Sequence, residues 1–216
     1  MPNARFVRKE DYGHLHFARW LLLLFAACDA AGLGPVSRRR LHTLLFVSFA
    51  SSRFYDIAPL RYRARRTEHG PYYRAAHFTL GALILSGLID VSQFTPYPAR
   101  NELQFEGDLR LRRRGLSIAR RLRQTSTGER LYQFLLELCL SAARTETSQL
   151  DQALLQDLTY QTATARGEST IGMDEEQTPT VVGLRTIDRY LNELALSHRR
   201  DALAAYQRLL VHRMAA

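Results

Sequence analysis

Lysine is almost missing from this 216-residue chain: Lys9 stands alone among 30 basic side chains, and the rest are arginine. Cysteine is nearly as scarce. Cys28 and Cys139 are the only two, far apart in apolar helical patterns, with no CxxC and no Cys/His spacing. That excludes a disulfide framework and a zinc finger, and reads as two buried hydrophobes in a reducing compartment. Long apolar runs are lacking too. "WLLLLFAAC" (20–28) resembles a secretory leader ending at a lipid-attachment cysteine, but Glu10, Asp11, His14 and His16 precede it and Asp29 stops it. It is too short to span a bilayer, so a cytoplasmic chain without a membrane partner is expected.

Catalytic motifs are absent as well. There is no P-loop, HExxH or nucleophile elbow. His14 and His16 are two residues apart and do not share a helical face. His69 beside Gly70 fits a turn, and His198 and His212 have no carboxylate partner in view. Asp174, Glu175 and Glu176 fall in a polar stretch and read as solvated charge. No set of active-site roles can be filled, so a non-enzymatic chain with no cofactor and no metal is expected.

What is present is arginine, unevenly placed. Residues 1–127 hold 21 basic and 9 acidic side chains, whereas residues 128–216 hold 9 and 12. Arginine over lysine fits a GC-rich codon bias first and the planar fork that suits phosphate and carboxylate second. The surplus of charge calls for an acidic partner, whether nucleic acid, membrane surface or protein. The break near residue 127 also suggests two jobs: a basic domain over 1–127 and a helical docking or oligomerisation region over 128–216.

The periodicity sketches the order of elements. Apolar residues from Phe17 to Phe25 predict a buried helix over 13–31. Ser37 is placed to cap a second helix over 38–50. The first turn of that helix is Arg38-Arg39-Arg40, which opposes the helix dipole and asks for an anion, either a phosphate or an acidic side chain elsewhere in the fold. "PLRYRARR" (59–66) alternates as a short strand with Arg61, Arg63 and Arg65 on one face. Pro71 suits the first position of a third helix, which carries Arg74 and ends before Gly87. "LIDV" opens a strand, "TPYPARN" breaks it, and "LQFEGDLRLRRRG" resumes it with Arg110, Arg112, Arg113 and Arg114 before a turn at Gly115 and a helix over 116–123. The second half predicts helices over 129–143 and 149–163, a mobile loop over 165–180, and two last helices. Leu184, Ile187, Leu191 and Leu194 on one, with Tyr206 on the other, suit a hairpin within the chain or contact with a partner.

Helix, helix, strand, helix, strand, turn, strand, helix is the order of a winged helix-turn-helix, so a mainly α fold with a minor β part is expected. "DLRLRRRGLSIARRL" is similar to the LTxxG wing-to-helix turn of winged-helix regulators, with Leu111-Arg112 in place of Leu-Thr. "HGPYYRA…SGLIDV" resembles the GPY-bearing winged-helix modules of prokaryotic conflict systems. In layout it is similar to the middle component of ABC three-component systems, including the small subunit of Lamassu-type defence complexes. The antitoxin-like Panacea domain shares the feature at Gly70, Pro71 and Tyr72. The resemblance implies a non-catalytic subunit beside an SMC-like ATPase and an effector. A homodimeric transcription regulator and an antitoxin-like protein are the competing classes. The third helix offers few side chains able to read base edges. DNA contact is therefore expected at phosphates, through Arg38, Arg39, Arg40, Arg61, Arg63, Arg65, Arg74, Arg110, Arg112, Arg113 and Arg114.

Overall fold

The computed structural model of the chain describes residues 9–67, 70–99, 102–144, 147–173, 177–193 and 199–215. Helix α1 (Lys9–Ala30) is apolar nearly all round because it is surrounded: it packs against α3 (Arg74–Leu85), α4 (Arg113–Arg123) and α5 (Ser126–Ala143). The leader-like stretch from Trp20 to Cys28 is thus core. Among the described residues no helix is long and apolar enough to cross a membrane.

Helix α2 (Arg38–Ser51) begins where Ser37 takes the backbone N–H of Arg40 at 3.2 Å. It buries Leu41, Leu44, Leu45 and Phe49, and its Ser48 hydroxyl accepts the Trp20 indole N–H at 3.1 Å. The strand pairing differs from the expected order. The two-residue β1 (Val36–Ser37) joins β5 (Glu102–Leu111), which pairs with β4 (Ile89–Ala99) in an antiparallel sheet. "PLRYRARR" contributes instead to a second sheet: β2 (Ala64–Thr67) lies between β3 (Gly70–Tyr72) and β6 (Thr170–Ile171). Pro71 is a β3 residue opposite Arg66, and α3 starts three residues later. Nor do Pro96 and Pro98 break β4. It is an edge strand, the place in a sheet where proline is tolerated.

Helix α3 stops as expected. Gly87 takes φ +67°, its N–H meets the Ile84 carbonyl, and Leu88 N–H meets the Leu83 carbonyl, both at 2.9 Å. These two bonds satisfy carbonyls that the helix end would otherwise orphan. Gly115 is no turn. It sits inside α4, where a Cβ would fall 2.3 Å from the Leu88 carbonyl oxygen. Helix α4 begins three residues before its expected start and lies against the turn that follows α3.

The stretch expected as one helix over 149–163 divides into α6 (Thr147–Ala153), a 3-10 turn at 154–156, and α7 (Leu158–Ala165). The divider is Asp157, which caps α7 through Oδ1 to the N–H groups of Thr159 (2.9 Å) and Tyr160 (3.0 Å). Fully buried, it also accepts the hydroxyls of Thr180 and Tyr206. It thereby ties α7 to α8 (Pro179–Glu193) and α9 (Arg199–Ala215). Burial pushes its carboxyl above the usual carboxylate range, against the pull of those hydrogen bonds. One hydrophobic cluster runs from Phe17 to Leu210, so the core lies on both sides of residue 127. The architecture is mainly α, with two small antiparallel sheets.

Candidate nucleic-acid interface

Two Arg-Arg-Arg runs open helices here. At α2, Arg38 and Arg40 are turned inward. Arg38 donates to Gln104 Oε1 (3.0 Å), to the Tyr97 hydroxyl and to Glu106 Oε1 (2.9 Å), all on the β4–β5 sheet. Arg40 lies 3.8 Å from Asp151 of α6. The anions that the first turn asks for are thus carboxylates of this chain, and both arginines leave the set expected to hold DNA. Arg39 alone of the three is exposed. One turn on, the His42 imidazole is buried between Tyr72 and Tyr73 and accepts the Tyr73 N–H on Nδ1 at 3.1 Å. Burial, then the positive charge of Arg38, then His77 lower its pKa to about 3, so it stays neutral in the fold.

At α4 the same tripeptide faces outward. Arg112 is the N-cap, and Arg113 and Arg114 form the first helical turn, not the wing strand. With Arg110, they surround Asp90 and line an open pocket of about 630 Å³ beside Gly87 and Leu111. Asp90 meets Arg112 at 2.7 Å and Arg110 at 3.5 Å, and these arginines hold its carboxyl below the usual range. Arg113 and Arg114 are exposed and meet no carboxylate among the described residues.

The surface continues along the helix. Arg120 and Arg121 lie seven residues beyond Arg113 and Arg114, which brings them to the same face, and both are exposed. Neither was among the expected contacts. The signal was in the sequence: "RRGLSIARRL" repeats its arginine pairs at a period of two turns. By contrast, Arg123 is used internally, bridging Glu129 at 2.9 Å and lying 3.8 Å from the centre of the Tyr132 ring.

The remaining expected contacts lie elsewhere. Arg61, Arg63 and Arg65 precede or belong to β2 and line no part of the pocket. Arg74 is exposed at the start of α3, with its guanidinium 5.2 Å from the centre of the Phe78 ring. Of the residues expected to meet a partner, Leu184 and Tyr206 are buried in this chain's own core, and Ile187 packs against it. They serve the internal hairpin. Leu191 is half-buried, while Leu194 lies outside the described residues, as do His69, His198 and the acidic run 174–176. Among the described residues no group of three His, Cys, Asp or Glu side chains could hold a metal ion.

Comparison of the chain with protein-family models, curated proteins and solved structures finds no match.

Proposed function

We propose that this chain is a non-catalytic winged-helix subunit of a prokaryotic defence complex, and that it holds DNA by its phosphates through the arginine face of α4 and the base of the β4–β5 hairpin. Helices α1, α2 and α3, strand β1 after the first, and the β4–β5 hairpin leading into α4 follow the winged-helix order, which supports the fold reading. The observation that carries the DNA reading is the set Arg113, Arg114, Arg120 and Arg121, exposed on one helix face and without a carboxylate partner among the described residues. From first to last they span about 12 Å at 1.5 Å per residue. That is about the width of a major groove, so phosphates of both strands come within reach.

Phosphate contact positions a duplex without reading it. Direct reading would need polar side chains on the outer face of α3, where Phe78, Ala82 and Leu85 stand instead. A homodimeric regulator of one palindromic site fits this surface less well than a subunit whose specificity comes from its complex. The test is replacement of Arg113, Arg114, Arg120 and Arg121 by glutamine. Titration against two unrelated duplexes at several salt concentrations should show affinity falling about equally for both. The salt slope should shrink by about 0.9 for each phosphate no longer held. Unchanged binding removes the DNA reading; loss confined to one duplex points to base recognition. For the subunit reading, recovery of the chain from its native host only as a homodimer, with no large ATPase, is the overturning result.

A further inference from the structure

Helix α3 turns Ala76, Thr79, Leu80 and Leu83 into the core. Its opposite face is apolar as well. Phe78 is 56% exposed and Leu85 90%, with exposed Ala82 between them. On β4, Phe94 is 56% exposed and stacks on Phe105 at 5.5 Å. Phe105 meets His77 at 5.9 Å, and His77 meets Phe78 at 5.8 Å. The aromatic groups therefore form a chain from hairpin to helix. Phe94 owes its place to a break in register between Ser92 and Thr95, where Gln93 adopts φ +54°. A bulge of this kind re-aims a side chain, and a non-glycine residue in the left-handed region stores local strain.

We infer that the outer face of α3, with Phe94, docks an amphipathic segment of a different protein, apolar at its centre and carboxylate-bearing at its ends. Three observations select that occupant. Beyond Arg74 the face offers base edges only the half-buried His77 and the terminal Ser86, and phosphates would leave Phe78, Leu85 and Phe94 wet. Arginines bound it at both ends. Arg74 lies over Phe78, and Arg110, Arg112, Arg113 and Arg114 line a pocket with Gly87, two residues beyond Leu85. The acidic side chain in that group, Asp90, is already bridged by Arg110 and Arg112. A symmetric contact with a second copy would set these basic rims against each other, and like charges across an interface repel. Aromatic anchors beside arginine are also the side chains that carry most binding energy at protein interfaces.

This inference rests on the subunit reading above, and the two fail separately. With p-benzoylphenylalanine in place of Phe78 or Leu85, irradiation in the native host should join both positions to one other protein. Mass spectrometry should place the joined residue in an apolar segment with net negative charge. Leu85→Gln, which adds no charge beside the Arg110–Arg114 group, should cut the yield from position 78 about tenfold while leaving thermal melting and DNA affinity unchanged. Crosslinks to DNA, to a second copy of this chain, to a basic segment, or to nothing above the dark control overturn the docking surface. If a complex is recovered but neither position crosslinks, the docking surface alone falls. If no complex is recovered either, the subunit reading falls with it.

Discussion

Arg38 and Arg113 open helices of the same chain and meet opposite surroundings. Each belongs to an Arg-Arg-Arg run, and each run opposes the dipole of the helix it begins. At α2 the β4–β5 sheet covers the turn and supplies Glu106, Gln104 and Tyr97, so the charge is neutralised inside the fold. At α4 the described residues leave Arg113 and Arg114 exposed, and Asp90 is shared between Arg110 and Arg112. The difference teaches that an arginine run at a helix start marks a need for an anion without saying whose. In the α2 run Arg38 and Arg40 find their anions in the chain; in the α4 run Arg112 finds Asp90, while Arg113 and Arg114 meet no carboxylate among the described residues.

The two runs should differ most visibly in stability. Arg38→Leu should destabilise the protein by about 2 to 3 kcal/mol, because it removes three hydrogen bonds, one of them an ion pair with Glu106, from a part-buried site. Arg113→Leu should change stability by less than about 0.5 kcal/mol, since its side chain bonds to no carboxylate of the described fold. Urea midpoints of the two variants decide it, and equal losses would mean the two runs do the same work.

A smaller effect sharpens the reach of Arg38. His42 titrates near 3 in the fold against about 6.5 when unfolded, so below pH 6.5 the unfolded chain takes up a proton that the folded chain refuses. Stability therefore falls as pH drops from 6.5 toward 3. Between pH 6.5 and 5 the protein should lose about 1.5 kcal/mol more than its His42→Phe variant, measured by urea unfolding at each pH. Asp157, whose folded carboxyl is raised, pulls the other way in both proteins and cancels in the difference. A parallel pH response of the two would show that His42 is solvated.

The smallest effect concerns the outward run. Arg113→Glu with Arg114→Glu places negative charge in the first turn of α4, which should raise stability by some tenths of a kcal/mol and weaken DNA binding by far more. Thermal melting and a filter-binding titration on the same sample check both halves. A variant that melts lower would mean that these arginines serve the fold.

Local chemistry made much of this legible. Ser37 as a cap, Gly87 as a helix stop and the apolar spacing of α1, α2 and α5 all act within a few residues, so they can be read from the chain. Pro71 and Gly115 misled because their meaning is tertiary. Pro71 is held extended by pairing with Arg66, and Gly115 is small because the Leu88 carbonyl lies against it. Of the arginines, the positions were legible and the allegiances were not. Arg120 and Arg121 could have been added from their spacing alone. The inward turn of Arg38 could not, because Glu106 is 68 residues away.

The face of α3 divides along the same line. Its amino acids alone determine an apolar helix with a single arginine at its start and no acidic residue, ending at a glycine. Only the tertiary structure decides that Leu80 and Leu83 are core while Phe78 and Leu85 are surface. The reason is geometric. A helix apolar on two faces can be buried on both, but the packing of α1 and the β4–β5 sheet covers only one of them here.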